Sequence, residues 1–298
     1  MSYLVDNAVI LAAGTSSRFA PISYERPKAL IPVKGEILIE RQIRQILEAG
    51  IPKIAVVVGY KKEQFVYLKE KFGVTLLENP EYLTRNNNGS IYVARNFLRN
   101  TYVCSADNYF VRNPFERQVE ESYYAALYSE GPTSEWCMRE DEKGYIKEVQ
   151  IGGTGAWYML GHVFWSEKFS QNFLHILEEE YQWPETRDKL WEYIFIEHLE
   201  ELPMKLRKYH LGDIYEFDSL DELREFDPAY KISSGSVILA DLAKRLRCRE
   251  GELVGISPWK NEKGVTIGIE FQGPEGLYQY HYETERLEEL GRFSIFAF

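Results

Sequence analysis

The sequence predicts an α/β fold, with a mixed, mainly parallel sheet flanked by helices and a small C-terminal α+β appendage. Short apolar, β-branched runs alternate with segments of helical periodicity over the first 230 residues. Several of these runs end at a glycine, and the alternation stops near residue 230. Strand–helix alternation is typical of a parallel sheet, because each helix returns the chain to the edge where the next strand begins.

The first strands and helices follow one another at regular spacing. The apolar run at 8–11 predicts the first strand, which leads into a glycine turn. The continuous β-branched run at 54–58 is typical of a strand that is buried on both faces. Apolar residues recur every three or four positions in the segments predicted as helices. The predicted order is strand 8–11, helix 36–49, strand 54–58, helix 61–72, helix 90–98 and strand 101–104.

The middle of the chain has a different pattern. Aromatic and β-branched runs predict short strands, some of them antiparallel, with Gly152, Gly153 and Gly155 as a loop. Ser219 and Glu222 have the spacing of a capping box and predict a helix start. The predicted elements are strands at 123–128, 136–139, 145–149 and 158–165, helices at 167–180 and 187–200, and a strand at 214–218.

A domain boundary is predicted after residue 232. Asp227-Pro228 and the serine- and glycine-rich segment 233–236 interrupt the periodic pattern. The prediction is therefore a first domain at 1–232 and a small C-terminal domain at 233–298. A helix at 237–247 and a hairpin between 265 and 282 are expected in the second. We expect it to serve packing or dimerisation, which leaves a homodimer open.

Composition excludes several classes of function. The 298 residues carry 46 acidic and 35 basic side chains, for a net charge of -11, which disfavours nucleic acid as a partner. The three cysteines form no C-x-x-C pair, so we expect reduced thiols and a cytoplasmic protein. The sequence has no basic and apolar leader and no apolar run of 18 residues, so no membrane partner is expected.

The first strand leads into the strongest functional signal. Its residues are Leu11, Ala12, Ala13, Gly14, Thr15, Ser16, Ser17 and Arg18, followed by Arg26, Pro27, Lys28, Ala29 and Leu30. Neither the P-loop pattern nor the dinucleotide fingerprint fits this segment. Small residues still allow the backbone to approach a ligand, and successive N–H groups form an anion nest. Arg18 and Lys28 add positive charge suited to a triphosphate.

This double motif resembles the nucleotidyltransferase (nucleoside diphosphate sugar pyrophosphorylase) superfamily, whose fold is Rossmann-like. Further segments occur in an order similar to that of the bacterial CTP:phosphocholine cytidylyltransferases. They are Asn87–Tyr92, Ser105–Tyr109, Glu135–Trp136, Gly161–Trp165, Leu190–Glu192 and Ile214–Ser219. The resemblance covers residues 3–230. It implies an enzyme that transfers CMP from CTP to phosphocholine, giving CDP-choline and pyrophosphate.

The resemblance also implies particular site residues. Lys28, Arg18 and Asp107 would be catalytic, and Asp107 and Asp218 would bind Mg²⁺. Both aspartates follow predicted strands, and ligands of open α/β sheets bind at strand ends. Magnesium needs oxygen ligands and takes few protein carboxylates. Nucleotide contacts are implied for Leu11, Ala12, Ala13, Gly14, Thr15, Ser16, Ser17, Arg18, Lys28, Gly59, Tyr60, Gly89 and Ser90. Ser90 is also a candidate helix N-cap, which is compatible with a nucleotide contact.

The acceptor end is predicted to hold a cationic amine. A quaternary ammonium has no donor hydrogen, so proteins bind it with aromatic faces and a carboxylate. By resemblance, Trp136 and Trp191 line this pocket and Glu192 is the acidic partner, with Tyr124 and Tyr193 as weaker candidates. The alternative for each tryptophan is ordinary packing in the core. A member of the family carries Asp at the position of Glu192, so this pocket is expected to be wider or to suit another amine.

Other functions stay open at this point. The same fold could use phosphoethanolamine, an aminophosphonate or a sugar 1-phosphate as acceptor. A non-catalytic nucleotide-binding regulatory protein is disfavoured because Arg18, Lys28, Asp107 and Asp218 are all present. Residues 236–298 faintly resemble the start of a choline-kinase-like N-lobe. The segment is too short for a kinase catalytic lobe, so no kinase activity is expected.

Overall fold

The computed structural model describes residues 2–292 and contains two compact units. Within the described residues, the first unit consists of 2–14 and 36–216, and the second of 15–35 and 217–292. The segment 15–35 thus belongs to the same compact unit as the C-terminal segment. The predicted domains, 1–232 and 233–298, divide the chain at a different position. That boundary was drawn from sequence breaks and resemblance, and it stays a prediction.

The strands alternate with helices through most of the chain. In chain order they are β1 (Tyr3–Leu4), β2 (Asn7–Ala12), β3 (Pro32–Val33), β4 (Glu36–Ile37), β5 (Ile54–Val58), β6 (Thr75–Glu78), β7 (Thr101–Ser105), β8 (Asn108–Phe110), β9 (Gln118–Val119), β10 (Tyr123–Glu140), β11 (Ile146–Trp165), β12 (Lys205–Lys208), β13 (Ile214–Glu216), β14 (Val254–Lys260), β15 (Thr266–Gln272), β16 (Gly276–His281) and β17 (Leu287–Arg292).

The helices are short, and several are extended by single 3-10 turns. In chain order they are α1 (Ile22–Glu25), α2 (Leu38–Glu48), α3 (Tyr67–Phe72), α4 (Asn88–Val93), α5 (Glu167–Glu180), α6 (Trp191–Glu197), α7 (Leu220–Phe226) and α8 (Val237–Arg245). No helix within residues 2–292 has both the length and the apolar character needed to cross a membrane.

The first unit is built on a seven-stranded sheet with the order β12-β10-β11-β7-β2-β5-β6. The pairs β12–β10, β7–β2, β2–β5 and β5–β6 are parallel, whereas β10–β11 and β11–β7 are antiparallel. The predicted fold class is therefore confirmed. Every residue of β5 is buried, as its unbroken β-branched sequence predicts for a central strand.

Helix α5 begins and ends where its periodicity predicts. Ser166 caps it by accepting a hydrogen bond from the Phe169 N–H at 3.3 Å. Its apolar face packs on the sheet through Phe173, whose ring centroid lies 4.7 Å from that of Trp165. Both side chains are fully buried. Aromatic pairs of this kind supply much of the packing energy of a core.

The predicted strands between 123 and 165 merge into two long strands, β10 and β11. The predicted glycine loop is wrong, because Gly152, Gly153 and Gly155 all lie within β11. Gly153 pairs with Thr133 of β10, and several register shifts bend the two strands. Bulges of this kind increase strand twist and bending, so the β10–β11 hairpin is strongly bent. The loop was predicted because glycine is common both in loops and at bulges within strands, and the sequence alone does not distinguish the two.

The second unit contains a four-stranded antiparallel sheet with the order β14-β15-β16-β17. Alternate residues of its strands, including Phe271, Tyr278 and Tyr280, are buried. Leu239 and Leu242 of α8 are also fully buried within this unit. The hairpin predicted between 265 and 282 is confirmed as β15 and β16. The unit has its own apolar core as a result.

A buried arginine joins α7 to the chain that leads into β14. The Arg224 side chain is 3% exposed and donates to the carbonyls of Glu250 and Leu253 at 2.7 and 2.5 Å. It also pairs with Asp221 at 3.0 Å. A buried guanidinium needs such partners, since an unpaired buried charge is strongly unfavourable.

We expect Arg224→Met to lower the free energy of unfolding by about 1–3 kcal/mol, because two buried carbonyls lose their donor. Urea unfolding of the full chain measures this change. Arg249→Ala is the matched control, since Arg249 is 85% exposed and pairs with its near neighbour Glu252. If Arg224→Met unfolds at the same urea concentration as wild type, the hydrogen bonds of Arg224 do not stabilise the fold.

Candidate active site

Three loops of the first unit leave the sheet at one edge. Strand β2 pairs in parallel with β5 and β7, so that Leu11 lies opposite Val57 and Ser105. The loops after these strands extend the pairing. The Ala106 N–H donates to the Leu11 carbonyl at 3.1 Å, and the Tyr60 N–H donates to the Ala13 carbonyl, also at 3.1 Å. Carboxyl ends of parallel strands are where ligands of such sheets bind.

Gly59 is required by this close approach of two loops. A Cβ at this position would lie 2.7 Å from the Tyr82 side chain and 2.9 Å from the Ala13 carbonyl oxygen. Both distances are shorter than ordinary van der Waals contact, and the carbonyl belongs to rigid backbone. The predicted nucleotide residues Ala13, Gly59 and Tyr60 are therefore neighbours in the first unit.

Asp107 lies in the tight turn between β7 and β8. It is half-buried and directly precedes Asn108, which is 1% exposed. The Asn108 side-chain amide donates to Glu216 of β13 at 3.2 Å, and β8 and β13 are paired antiparallel. This pairing fixes the turn that carries Asp107. The sequence correctly predicted that Asp107 follows a strand.

The loop that carries Arg18 and Lys28 belongs to the second unit. Ser16 has a φ of 48°, in the left-handed region, and a 3-10 turn follows at Ser17–Phe19. Phe19 is buried, and the Lys28 Nζ lies 5.6 Å from the centroid of its ring. Lys28 is itself only 6% exposed. The lysine stem is therefore packed in place, which favours one direction for its ammonium group.

Arg18 and Asp218, both in the second unit, form an ion pair. The Arg18 guanidinium donates to an Asp218 carboxylate oxygen at 2.7 Å, and the two side chains are 72% and 37% exposed. Ion pairs this exposed contribute little to stability. Asp218 also donates its backbone N–H to Glu222, while Ser219 accepts from the Glu222 N–H. The predicted N-cap at Ser219 is confirmed, although the Glu222 carboxylate reaches one residue further back than in a standard capping box.

Gly89 and Ser90 lie in the first turn of α4. Ser90 is the third residue of this helix, so the prediction that it is the N-cap is wrong. Its hydroxyl accepts a hydrogen bond from the Asn79 side-chain amide at 3.1 Å, and both residues are buried. A Cβ on Gly89 would lie 2.9 Å from Cδ of Arg85, whose guanidinium stacks 3.8 Å from the Tyr181 ring centroid. Gly89 therefore allows the arginine to pack against the helix.

The asparagines at the start of α4 connect this helix to the chain around the start of α6. The Asn87 amide oxygen accepts from the Trp191 N–H at 2.7 Å, and its NH₂ donates to Glu192 at 3.1 Å. Asn88 is fully buried and donates to the Thr186 carbonyl at 2.8 Å and to the Lys189 carbonyl. These bonds join the start of α4 to the start of α6. A run of amides carries no periodic pattern, so sequence reasoning missed this connection.

The residues predicted to bind the acceptor fall into a buried and an open group. Trp191 is 3% exposed, with its ring stacked on Tyr124 at 5.7 Å and edge-on to Trp165 at 5.1 Å. Trp136 is half-buried and packs against Tyr193, with ring centroids 4.5 Å apart. Trp191 thus lies in the core, as the alternative expected. Trp136 and Tyr193 form the more exposed aromatic pair. Contacts of Trp136, Trp191 and Glu192 with an acceptor stay predictions.

Glu192 is the titratable group whose environment is most unusual among these residues. Its carboxylate accepts hydrogen bonds from Asn87 at 3.1 Å and from the Tyr124 hydroxyl at 3.4 Å. Burial raises its pKa to about 7, although both hydrogen bonds act to lower it. A carboxylate that is desolvated and lacks a cationic partner favours its neutral form. A cation placed beside it would restore the charged form.

We expect this ionisation to make stability depend on pH. The unfolded carboxyl has its ordinary pKa of 4.5 and the folded one a pKa of about 7, so the folded state binds the proton more tightly. The stability this adds is fully present below pH 4.5 and is lost as the pH rises through 7. Between pH 5 and pH 8, wild type should lose on the order of 1–3 kcal/mol relative to Glu192→Gln.

Urea unfolding of both proteins across this pH range tests the expectation. Parallel stability profiles for the two proteins would contradict it, since every other group titrates alike in both.

Comparisons with known proteins identify the family to which the chain is similar. A family model described as a MobA-like NTP transferase domain matches residues 8–134. The choline-phosphate cytidylyltransferase of Streptococcus pneumoniae is 34% identical over 75% of this chain and 98% of its own length. The 2-aminoethylphosphonate cytidylyltransferase of Lancefieldella rimae is 35% identical over 75% of this chain and 93% of its own length.

A solved structure gives the same result. The CTP:phosphocholine cytidylyltransferase of Streptococcus pneumoniae superposes with a TM-score of 0.73 and 33% identity, over 76% of this chain and all of the other. Together these similarities confirm the resemblance inferred from the sequence motifs. They cover about three quarters of the chain, so about one quarter has no counterpart in these relatives.

Proposed function

This chain belongs to the nucleotidyltransferase family that includes the bacterial cytidylyltransferases, and we propose that it transfers CMP from CTP to phosphocholine. The products are CDP-choline and pyrophosphate. The observation that carries the choice of acceptor is the half-buried, desolvated Glu192, which has no cationic side chain among its hydrogen-bond partners within residues 2–292. The aromatic residues Tyr124 and Trp191 lie beside it. A positively charged amine supplies the missing charge.

The proposed chemistry is an in-line displacement at phosphorus. A phosphate oxygen of the acceptor forms a bond to the α-phosphorus of CTP, and the bond from that phosphorus to the pyrophosphate oxygen breaks. Such transfers need little covalent participation by the protein, so positioning and charge stabilisation supply most of the rate. We assign this stabilisation to Arg18 and Lys28, and contacts to the nucleoside to the loops at Leu11–Gly14, Gly59–Tyr60 and Gly89–Ser90.

Magnesium is the proposed cofactor, with Asp107 and Asp218 as its protein ligands. The donor set fits: Asp107 is a half-buried carboxylate in a strand-end turn, and the Asp218 carboxylate is 37% exposed. No three His, Cys, Asp or Glu side chains within residues 2–292 form a group that could hold a metal. Magnesium usually takes only one or two carboxylates and completes its shell with phosphate oxygens and water. When bound, it neutralises charge on the triphosphate.

The Arg18–Asp218 ion pair suits this assignment. A triphosphate offers Arg18 a stronger bidentate partner than a single exposed carboxylate does. Release of Arg18 would leave the Asp218 carboxylate able to bind a cation. The pair contributes little to folding at this exposure, so exchanging it for ligand contacts costs little.

The second candidate function keeps the reaction and changes the acceptor. The Lancefieldella rimae relative is named for 2-aminoethylphosphonate, and its identity to this chain is close to that of the phosphocholine enzyme. A primary ammonium would donate hydrogen bonds to Glu192, whereas a trimethylammonium would rest on aromatic faces. The partly exposed aromatic pair of Trp136 and Tyr193 favours the trimethylammonium.

Pyrophosphate release with magnesium tests both candidates. We expect turnover with CTP and phosphocholine, and at least about tenfold less with phosphoethanolamine, 2-aminoethylphosphonate or glucose 1-phosphate, because these lack the trimethylammonium. ATP, GTP and UTP should replace CTP poorly. Preference for 2-aminoethylphosphonate would overturn the choice of phosphocholine and keep the reaction. Absence of turnover with every pair would overturn the proposed reaction.

Asp107→Asn should lower kcat by at least about a hundredfold, because the carboxylate that we assign to magnesium is replaced by a neutral amide of the same shape. Steady-state pyrophosphate release measures the change, and circular dichroism checks the fold. Glu120→Gln is the matched control, since Glu120 is an exposed carboxylate of the same unit. Wild-type turnover by Asp107→Asn would remove Asp107 from the site.

A further inference from the structure

The C-terminal segment holds the loop that carries Arg18 and Lys28. Both belong to the second unit, and three consecutive loop residues, Tyr24, Glu25 and Arg26, contact residues beyond 232. The resemblance to the cytidylyltransferases ends near residue 230. The segment 233–298 is therefore an addition to the family's catalytic region.

Glu25 makes the central contact. Its carboxylate accepts hydrogen bonds from the Ser236 hydroxyl at 2.8 Å, from the Val237 N–H at 3.2 Å and from the Ile238 N–H at 2.9 Å. These donors form the start of α8, a helix of nine residues. The first N–H groups of a helix lack partners within it, and the helix dipole favours an anion there. Glu25 thus acts as a capping anion supplied by a distant part of the chain.

The residues on either side of Glu25 strengthen this connection. The Tyr24 ring stacks on that of Tyr282, in the turn that follows β16, with centroids 3.9 Å apart and planes inclined by 18°. The Arg26 guanidinium donates to the Gly235 carbonyl at 2.9 Å. Two residues later the chain enters the buried 3-10 turn that begins at Lys28. The position of Lys28 therefore follows directly from a segment fixed at three successive side chains.

We propose that Glu25 is a positioning residue, through which α8 of the C-terminal segment holds the loop 15–35 in the conformation that presents Arg18 and Lys28 to the triphosphate. The proposal rests on the proposed function for the role of those two cations. The added segment then serves as a brace for the nucleotide loop. Glu25 itself touches no reacting atom in this account.

Glu25→Gln in the full chain tests the proposal. We expect kcat/KM for CTP to fall roughly ten- to hundredfold, since small misplacements of a binding group cost this much. The KM for the acceptor should stay at the wild-type value. Hydrogen exchange of backbone amides in 15–35 should become faster. Glu25→Asp should restore part of kcat/KM for CTP and part of the slow amide exchange in 15–35. Ser236→Ala is a milder change, and it should lower kcat/KM and speed the exchange to a smaller extent than Glu25→Gln.

Arg245→Ala is the matched control. Arg245 lies at the other end of α8, where it pairs with Asp241 and donates to the Glu285 carbonyl at 2.7 Å. These contacts lie within the C-terminal segment and involve no residue of 15–35. We expect wild-type kcat/KM for CTP and wild-type exchange in 15–35. Equal losses in Glu25→Gln and Arg245→Ala would overturn the proposal, as would an unchanged kcat/KM in Glu25→Gln.

The two proposals fail in different ways. If wild type turns over no pair of substrates, the proposed function fails and hydrogen exchange alone decides the role of Glu25. Faster exchange in 15–35 for Glu25→Gln, and not for Arg245→Ala, supports the brace. Unchanged exchange overturns it.

Discussion

The parallel pairing of β2 with β5 and β7 is the constraint on which the candidate site depends. It brings the carboxyl ends of three strands to one edge of the sheet. The loops then continue the ladder, through the Ala106 bond to Leu11 and the Tyr60 bond to Ala13. Buried strand ends must pair their backbone groups, so the loops are held where ligands approach. The close contact at Gly59 is a consequence of this arrangement.

Hydrogen bonds from asparagine side chains also hold the segments around the candidate site together. Asn87 and Asn88 join the start of α4 to the start of α6, and Asn79 holds the Ser90 hydroxyl. Each bond satisfies a polar group that would otherwise be costly to bury. The same network holds Glu192 beside Tyr124 in a desolvated position, where burial raises its pKa although the hydrogen bonds act to lower it. Asn87 therefore does two things: it accepts a hydrogen bond from the Trp191 N–H, which joins α4 to α6, and it donates one to the Glu192 carboxylate.

The second unit depends on electrostatic complementarity between distant parts of the chain. A carboxylate from the loop 15–35 caps α8, and Arg224 satisfies two carbonyls near β14. Unpaired groups at helix ends and buried carbonyls create sites that a charged side chain can fill. The contacts of Glu25 with α8 connect the loop 15–35 to a segment that lies outside the region shared with its relatives.

The sequence by itself determined the fold class, the positions of strand β5 and helix α5, the loop motif with Arg18 and Lys28, and the strand-end position of Asp107. These features have local signals, because periodicity, caps and small-residue loops depend on near neighbours. Only the tertiary structure decided that the runs between 123 and 165 form two bent strands, that Asn87 and Asn88 join two helices, and that the Trp191 ring is buried. It also decided the contacts of Glu25 with α8. Such contacts join residues up to 213 positions apart, and their energies depend on burial and partner geometry that no local pattern contains.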